Sequence, residues 1–198
     1  MYPKDFEKLI EDLAKLPGVG NKTAMRYAFK IMDWTKEDVA LFIENIKKVK
    51  NEIHYCRRCG FLTNDDECDY CKDKTRNQET IVVVSYVQDV EAIERIGEYN
   101  GLYHVLNGNL STSKGIMPDD LNIESLLDRI NENTKEVILA ISPTIDGEMT
   151  ALYLSKLLKK KEVKITKLAS GLPMGANLDY ADDLTILKAM NNRQKMED

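Results

Sequence analysis

The sequence predicts an α/β protein with a separate small all-α module, and three observations carry that prediction. Apolar residues recur at helical spacing through the N-terminal third. All four cysteines of the 198-residue chain then fall within one stretch, CRRCGFLTNDDECDYC, running from Cys56 to Cys71. Beyond it, short β-branched runs alternate with helical patterns, which is how a parallel sheet with helices on both faces reads in sequence.

Phe6, Leu9, Ile10 and Leu13 set a first helix between Asp5 and Leu16, and Pro17-Gly18-Val19-Gly20 stops it. A second helix runs from about Asn21 to Met32 with Ala24, Tyr27, Ala28 and Ile31 as its buried stripe; Trp34, the only tryptophan, anchors its end. A third starts near Thr35, where Thr35 and Asp38 fit a capping box, and continues through Val39, Phe42, Ile43, Ile46 and Val49. After the cysteines, Ile81 to Val84 reads as a strand buried on both faces. A helix follows from Asp89 to about Glu98, then a strand from Leu102 to Leu106 and a long loop from Asn107 to Asp120. Next come a helix from Ile123 to Asn131, a strand from Glu136 to Ile141, a helix from Gly147 to Lys160 and a strand from Val163 to Lys167. A C-terminal helical tail comes last. We therefore expect a helix-hairpin-helix module at 1–53, a cysteine motif with its linker at 54–79, an α/β domain at 80–175 and an assembly segment at 176–198.

Hydrophobic residues make up 43% of the chain, which suffices for a globular core. No apolar run approaches the length of a bilayer-spanning helix, and Met1-Tyr2-Pro3-Lys4-Asp5 leads into no apolar signal region. A soluble, cytoplasmic protein with no membrane partner is the expectation. The net charge of −5 excludes a chain that coats nucleic acid by bulk charge, and the basic surplus is confined to residues 1–60.

In a reducing compartment, two CxxC pairs separated by eight residues point to a metal rather than to disulfides. Cys56, Cys59, Cys68 and Cys71 can wrap one Zn²⁺ tetrahedrally, leaving no open coordination position. Such a site is structural, and one ion per chain would hold a polar hinge too poor in apolar residues to build a core. His54, two residues before the first ligand, then packs beside the site or supports a ligand from outside the coordination sphere, because the four cysteines already complete it.

Leu16-Pro17-Gly18-Val19-Gly20-Asn21-Lys22-Thr23-Ala24 joins two helices in the helix-hairpin-helix pattern. Gly18 and Gly20 permit the tight turn, and the N–H groups opening the second helix can hold a backbone phosphate. Lys22, Arg26 and Lys30 follow at intervals of four and share one helix face. Phosphate contacts of this kind predict DNA binding that ignores sequence and weakens steeply with salt.

At the carboxyl ends of the sheet strands, where ligands meet an open α/β sheet, stand Asp89, Asp146 and Glu148. Carboxylates there can hold Mg²⁺ for phosphoryl chemistry, or they can cap the helix N-termini they precede. The residues leave both readings open.

Three further stretches, GEYNGLYHVLNGNLS, SPTIDGEMTALYLSKLL and GLPMGANLDYADDLTI, complete a resemblance that spans nearly the whole chain. Together with the hairpin and the cysteines, they resemble the RecR family of bacterial recombination mediators. The resemblance implies a Toprim-like parallel α/β sheet and a non-catalytic DNA-repair protein. It also implies a homotetrameric ring able to encircle double-stranded or gapped DNA, working with RecO and RecF to help load RecA at single-strand gaps. Position by position, Lys22 and Arg26 match residues that contact DNA, the four cysteines match zinc ligands, and Asp89, Asp146 and Glu148 match acids of the Toprim site.

Two departures bear on mechanism. Ser85 stands in VVVSYVQD where Toprim domains place a glutamate, and Ala176 and Asn177 stand where the family commonly has glycine and aspartate. A serine replaces that glutamate neither as a general acid or base nor as a metal ligand. This argues against Mg²⁺ binding and against the alternative of a Mg²⁺-dependent Toprim nuclease or primase.

Overall fold

The computed structural model describes residues 2–195, so the last three positions of the assembly segment, 196–198, lie outside the described residues. The chain divides between Ile53 and His54 into two compact units.

In the first unit, α1 (Lys4–Ala14), α2 (Asn21–Met32) and α3 (Lys36–Glu52) follow the predicted helices closely. The α1–α2 turn depends on Gly18, whose φ of 78° lies in the left-handed region, and is closed by the Val19 amide donating to the Leu16 carbonyl at 3.0 Å. Ala24 and Ala28 are fully buried, and their small size brings the two helices together. Tyr2, Phe6 and Phe29 pack edge-on or tilted, with centroids 4.9, 5.4 and 5.8 Å apart. Tyr27 departs from the expected buried stripe: it lies exposed beside the alanine seam, with the Arg26 guanidinium 5.9 Å from its ring centroid. Thr35 caps α3 by accepting from the Asp38 amide at 3.1 Å, and its hydroxyl donates to the Asp38 carboxylate at 2.8 Å. Trp34 packs edge-on against Phe42, 5.4 Å between ring centroids, at the start of α3. Yet α3 buries none of its residues, and Leu41, Phe42, Ile43, Ile46 and Val49 are all exposed.

The second unit opens with the cysteine motif: β1 (His54–Tyr55) pairs antiparallel with β2 (Leu62–Thr63), and the short α4 (Asp69–Lys72) follows. The sheet then forms from β3 (Asn77–Val84), β4 (Gly101–Val105), β5 (Glu136–Leu139) and β6 (Lys164–Lys167), all parallel in the order β4-β3-β5-β6. Between them run α5 (Val87–Glu94), α6 (Glu124–Arg129) and α7 (Ile145–Leu158), and α8 (Asp183–Asn191) comes last. β3 begins at Asn77, ahead of its apolar run; its polar entry is held by the Asn77 amide donating to the Asn100 carbonyl, a contact that leaves no hydrophobic signature. α5 ends at Glu94, short of the predicted Glu98, because the chain turns through Gly97 at a φ of 74°.

Alternation along β3 divides the core. Ile81 and Val83 face Leu126 of α6 and Leu154 and Leu158 of α7, while Val82 and Val84 face Val90 of α5. Phe61 and Tyr70 from the cysteine motif join that second face. The motif is therefore part of the cover of the sheet, and the expectation of a polar hinge without a core gives way to a docked knuckle.

Candidate zinc centre and nucleic-acid interface

Each half of the knuckle is shaped by backbone hydrogen bonds. The Gly60 amide donates to the Cys56 carbonyl at 2.9 Å, and the Cys71 amide donates to the Cys68 carbonyl at 3.0 Å. These turns aim four buried sulfurs at one point, all within 4.8 Å of one another. The Cys56–Cys71 and Cys59–Cys68 separations are 4.0 and 3.4 Å. A zinc tetrahedron with Zn–S bonds of about 2.3 Å has edges of about 3.8 Å, so the donor set fits the ion. The Cys68 amide also donates to the Cys56 sulfur at 3.3 Å. Packed this closely, the thiols pull one another's ionisation apart: the hydrogen bond with Cys59 holds Cys68 far below the usual thiol range, and the same bond pushes Cys59 up. A dication between them lets all four serve as thiolates.

The knuckle grips the free edge of β4. The Val105 amide donates to the Cys59 carbonyl at 2.7 Å, and Asn107 Nδ2 donates to the Gly60 carbonyl at 3.3 Å. Gly60 is required there, because its φ is 75° and a Cβ would stand 2.4 Å from the Val105 oxygen. Phe61 packs edge-on against Tyr70 and Tyr70 against Tyr103, at 5.0 and 5.3 Å between ring centroids. Arg76 completes this wall. Its guanidinium lies 5.0 Å from the Tyr70 ring centroid, Nε donates to the Gly101 carbonyl at 2.8 Å, and Nη2 pairs with Glu94 at 2.5 Å. Sequence reasoning missed Arg76, which no spacing rule singles out. His54 reaches the Asp65 carbonyl with Nε2 at 3.1 Å.

In the helical unit, Gly20 is the N-cap of α2, with no side chain capping the helix and no acid in its first turn. By contrast, α3, α7 and α8 each carry a capping side chain and acids there. Lys22, Arg26 and Lys30 are exposed. Lys30 lies 3.7 Å from Asp33, whereas Lys22 and Arg26 make no ion pair among the described residues.

The structure does not gather the three sheet acids. The Asp89 carboxylate accepts from the Tyr86 amide at 2.8 Å. Glu148 is bridged by Lys167 at 2.6 Å and Lys188 at 3.2 Å, and the hydrogen bond from Lys167, followed by that from Lys188, holds its carboxyl below the usual range. Asp146 follows the Thr144 N-cap of α7 and has no side-chain partner among the described residues. Among the described residues, the cysteines form the only group of three or more His, Cys, Asp and Glu side chains close enough to hold a metal. Ser85 is buried, and its hydroxyl donates to Asn109 Oδ1 at 2.7 Å.

Comparison with known proteins matches this order of parts. Family profiles match at residues 6–50 (RecR, helix-hairpin-helix), 53–73 (RecR, four-cysteine zinc finger domain), 79–169 (Toprim domain) and 171–194 (RecR, C-terminal). The chain is 49% identical to the recombination protein RecR of Lactiplantibacillus plantarum, over 98% of this chain and 99% of that one. It is 47% identical to the recombination protein RecR of Streptococcus mutans, over 99% of this chain and 100% of that one. The chain belongs to the RecR family. The RecR zinc-finger match takes in all four cysteines, which hold a structural zinc ion. The Toprim match takes in most of β3 and all of β4, β5 and β6, with Asp89, Asp146, Glu148 and Ser85, and the RecR C-terminal match takes in α8. No helix among the described residues of this RecR-family chain is long and apolar enough to cross a membrane.

Proposed function

We propose that the chain is a non-catalytic DNA clamp of recombination repair, acting as a homotetramer with RecO and RecF to help load RecA at single-strand gaps. The carrying observation is the bare N-terminus of α2, followed by the exposed Lys22 and Arg26. Its amides point outward from a helix whose dipole favours an anion, and no carboxylate in the first turn competes for them. Gly18 and Gly20 set the turn, Lys22 and Arg26 neutralise phosphates, and Lys30 adds a weaker charge shared with Asp33.

Assembly has its own support. The exposed apolar side chains of α3, together with Leu184, Leu187 and Met190 of α8, offer surfaces that further copies of the chain would cover. A ring of copies multiplies weak phosphate contacts through effective concentration, which answers how an acidic chain holds DNA. Ser85 supports the non-catalytic role, since a buried hydroxyl committed to Asn109 neither relays protons nor binds metal. In this reading Asp146, which has no side-chain partner among the described residues, faces a protein partner rather than Mg²⁺, while Asp89 and Glu148 serve the local contacts they already make.

The test is binding of labelled gapped duplex across a salt series, with Lys22→Ala/Arg26→Ala compared at unchanged oligomeric state. Loss of affinity with a shallower salt slope is expected. Equal binding by both proteins would move the DNA surface away from the hairpin.

A further inference from the structure

Arg129, at the C-terminal end of α6, is a cation without an acid. Its Nη1 donates to the Tyr103 carbonyl at 2.6 Å, but its Nη2 is buried and makes no hydrogen bond among the described residues. Nor does it pair with any carboxylate among them. Burying a charge in this way is costly unless an opposite charge lies close by.

The strand it grips identifies that charge. Tyr103 and Val105 are two apart on β4, so their backbone groups point to the same free edge, about 6.6 Å apart along the strand. Arg129 holds that edge at Tyr103, and the carbonyl of the zinc ligand Cys59 holds it at Val105. Guanidinium and knuckle thus sit side by side. Burial pulls Arg129 below its usual value, and the groups that pull it back up are Cys71, Cys59 and Cys56. Four thiolates around Zn²⁺ leave a net charge of −2, also buried and also in need of compensation.

We propose that Arg129 is the counter-cation of the zinc–thiolate centre, a positioning residue contributed by the α/β domain that ties retention of the ion to the folded sheet edge. Its Nη1 fixes the guanidinium on the Tyr103 carbonyl, which leaves the buried Nη2 unpaired among the described residues and its charge available to the thiolates. Arg58, also near this cluster, is already paired with Glu67 at 3.7 Å and is well exposed, so solvent screens it.

The test uses the zinc-loaded full chain and follows zinc release to a chromogenic chelator. Arg129→Gln, which keeps a donor for Tyr103 but removes the charge, is expected to release zinc about 10–100-fold faster, while Arg58→Gln matches the native protein. Native-rate release by Arg129→Gln, or equal acceleration by Arg58→Gln, would overturn the proposal. If Arg129→Gln does not fold, cobalt-loaded Arg129→Lys supplies the second reading. A lysine that keeps its single nitrogen on the Tyr103 carbonyl places no second charged group toward the thiolates, so the sulfur-to-cobalt charge-transfer band is expected to move to lower energy. An unmoved band would mean that Arg129 serves the sheet edge alone.

Discussion

The helical unit and the α/β unit spend their apolar residues in opposite ways. In the α/β unit a large set faces inward: Leu106, Leu126, Leu154 and Leu158 are fully buried, and even the knuckle contributes Phe61 and Tyr70 to the sheet, although Leu184, Leu187 and Met190 of α8 stay exposed. Among the described residues of the helical unit the fully buried side chains are two alanines, while the large apolar residues of α3 lie in the open. The α/β unit holds a filled core with the cysteine knuckle packed over one face of its sheet, whereas the helical unit leaves the apolar residues of its third helix exposed.

Zinc removal should separate the units most sharply. Structural zinc contributes on the order of 10 kcal/mol to small fingers, so chelation or Cys59→Ser should cause the largest loss of stability. The loss should fall on the α/β unit, with hydrogen exchange rising first at the Val105 amide, which donates to the Cys59 carbonyl. Uniform protection along β4 after zinc removal would show that the knuckle does not hold the edge. Next, Leu126→Ala should cost about 2–5 kcal/mol in urea unfolding, because it opens a cavity between α6 and the sheet.

Gly60→Ala should cost about 1–3 kcal/mol and loosen zinc retention, since the residue is left-handed and a Cβ would collide with the Val105 oxygen. Ile46→Asp should sharpen the contrast by changing chain stability by only about 0.5 kcal/mol or less, while lowering the mass measured by light scattering. The smallest effect concerns Glu148. Its pKa is depressed in the folded chain, so its ion pairs contribute at neutral pH and are lost as pH falls through the depressed value. Both lysine partners and the acid are partly exposed, which holds the contribution below about 1 kcal/mol, and Glu148→Gln should erase the pH-dependent part.

Local signals explain what could be read in advance. The helical periodicity of α2, the β-branched run of β3 and the paired cysteine spacing each lie within a short window, where side-chain pattern and structure coincide. Tertiary partners were hidden. The docking of the knuckle runs through backbone groups of Cys59 and Val105, which carry no residue code. Arg76 and Arg129 look like any surface arginine in sequence, and the Lys188 partner of Glu148 lies on another helix. Tyr27 misled for a related reason: at helical spacing it belongs to the apolar stripe, but only Ala24 and Ala28 of α2 are buried and its ring lies exposed.

Sedimentation velocity of the full chain over a wide concentration range, beside Ile46→Asp/Val49→Asp, tests most directly whether the helical unit is completed by assembly. The expected result is a stable tetramer for the native chain and a smaller species of unchanged helical content for the variant. A native chain that stays monomeric at every concentration, or a variant that assembles as the native chain does, would contradict the account.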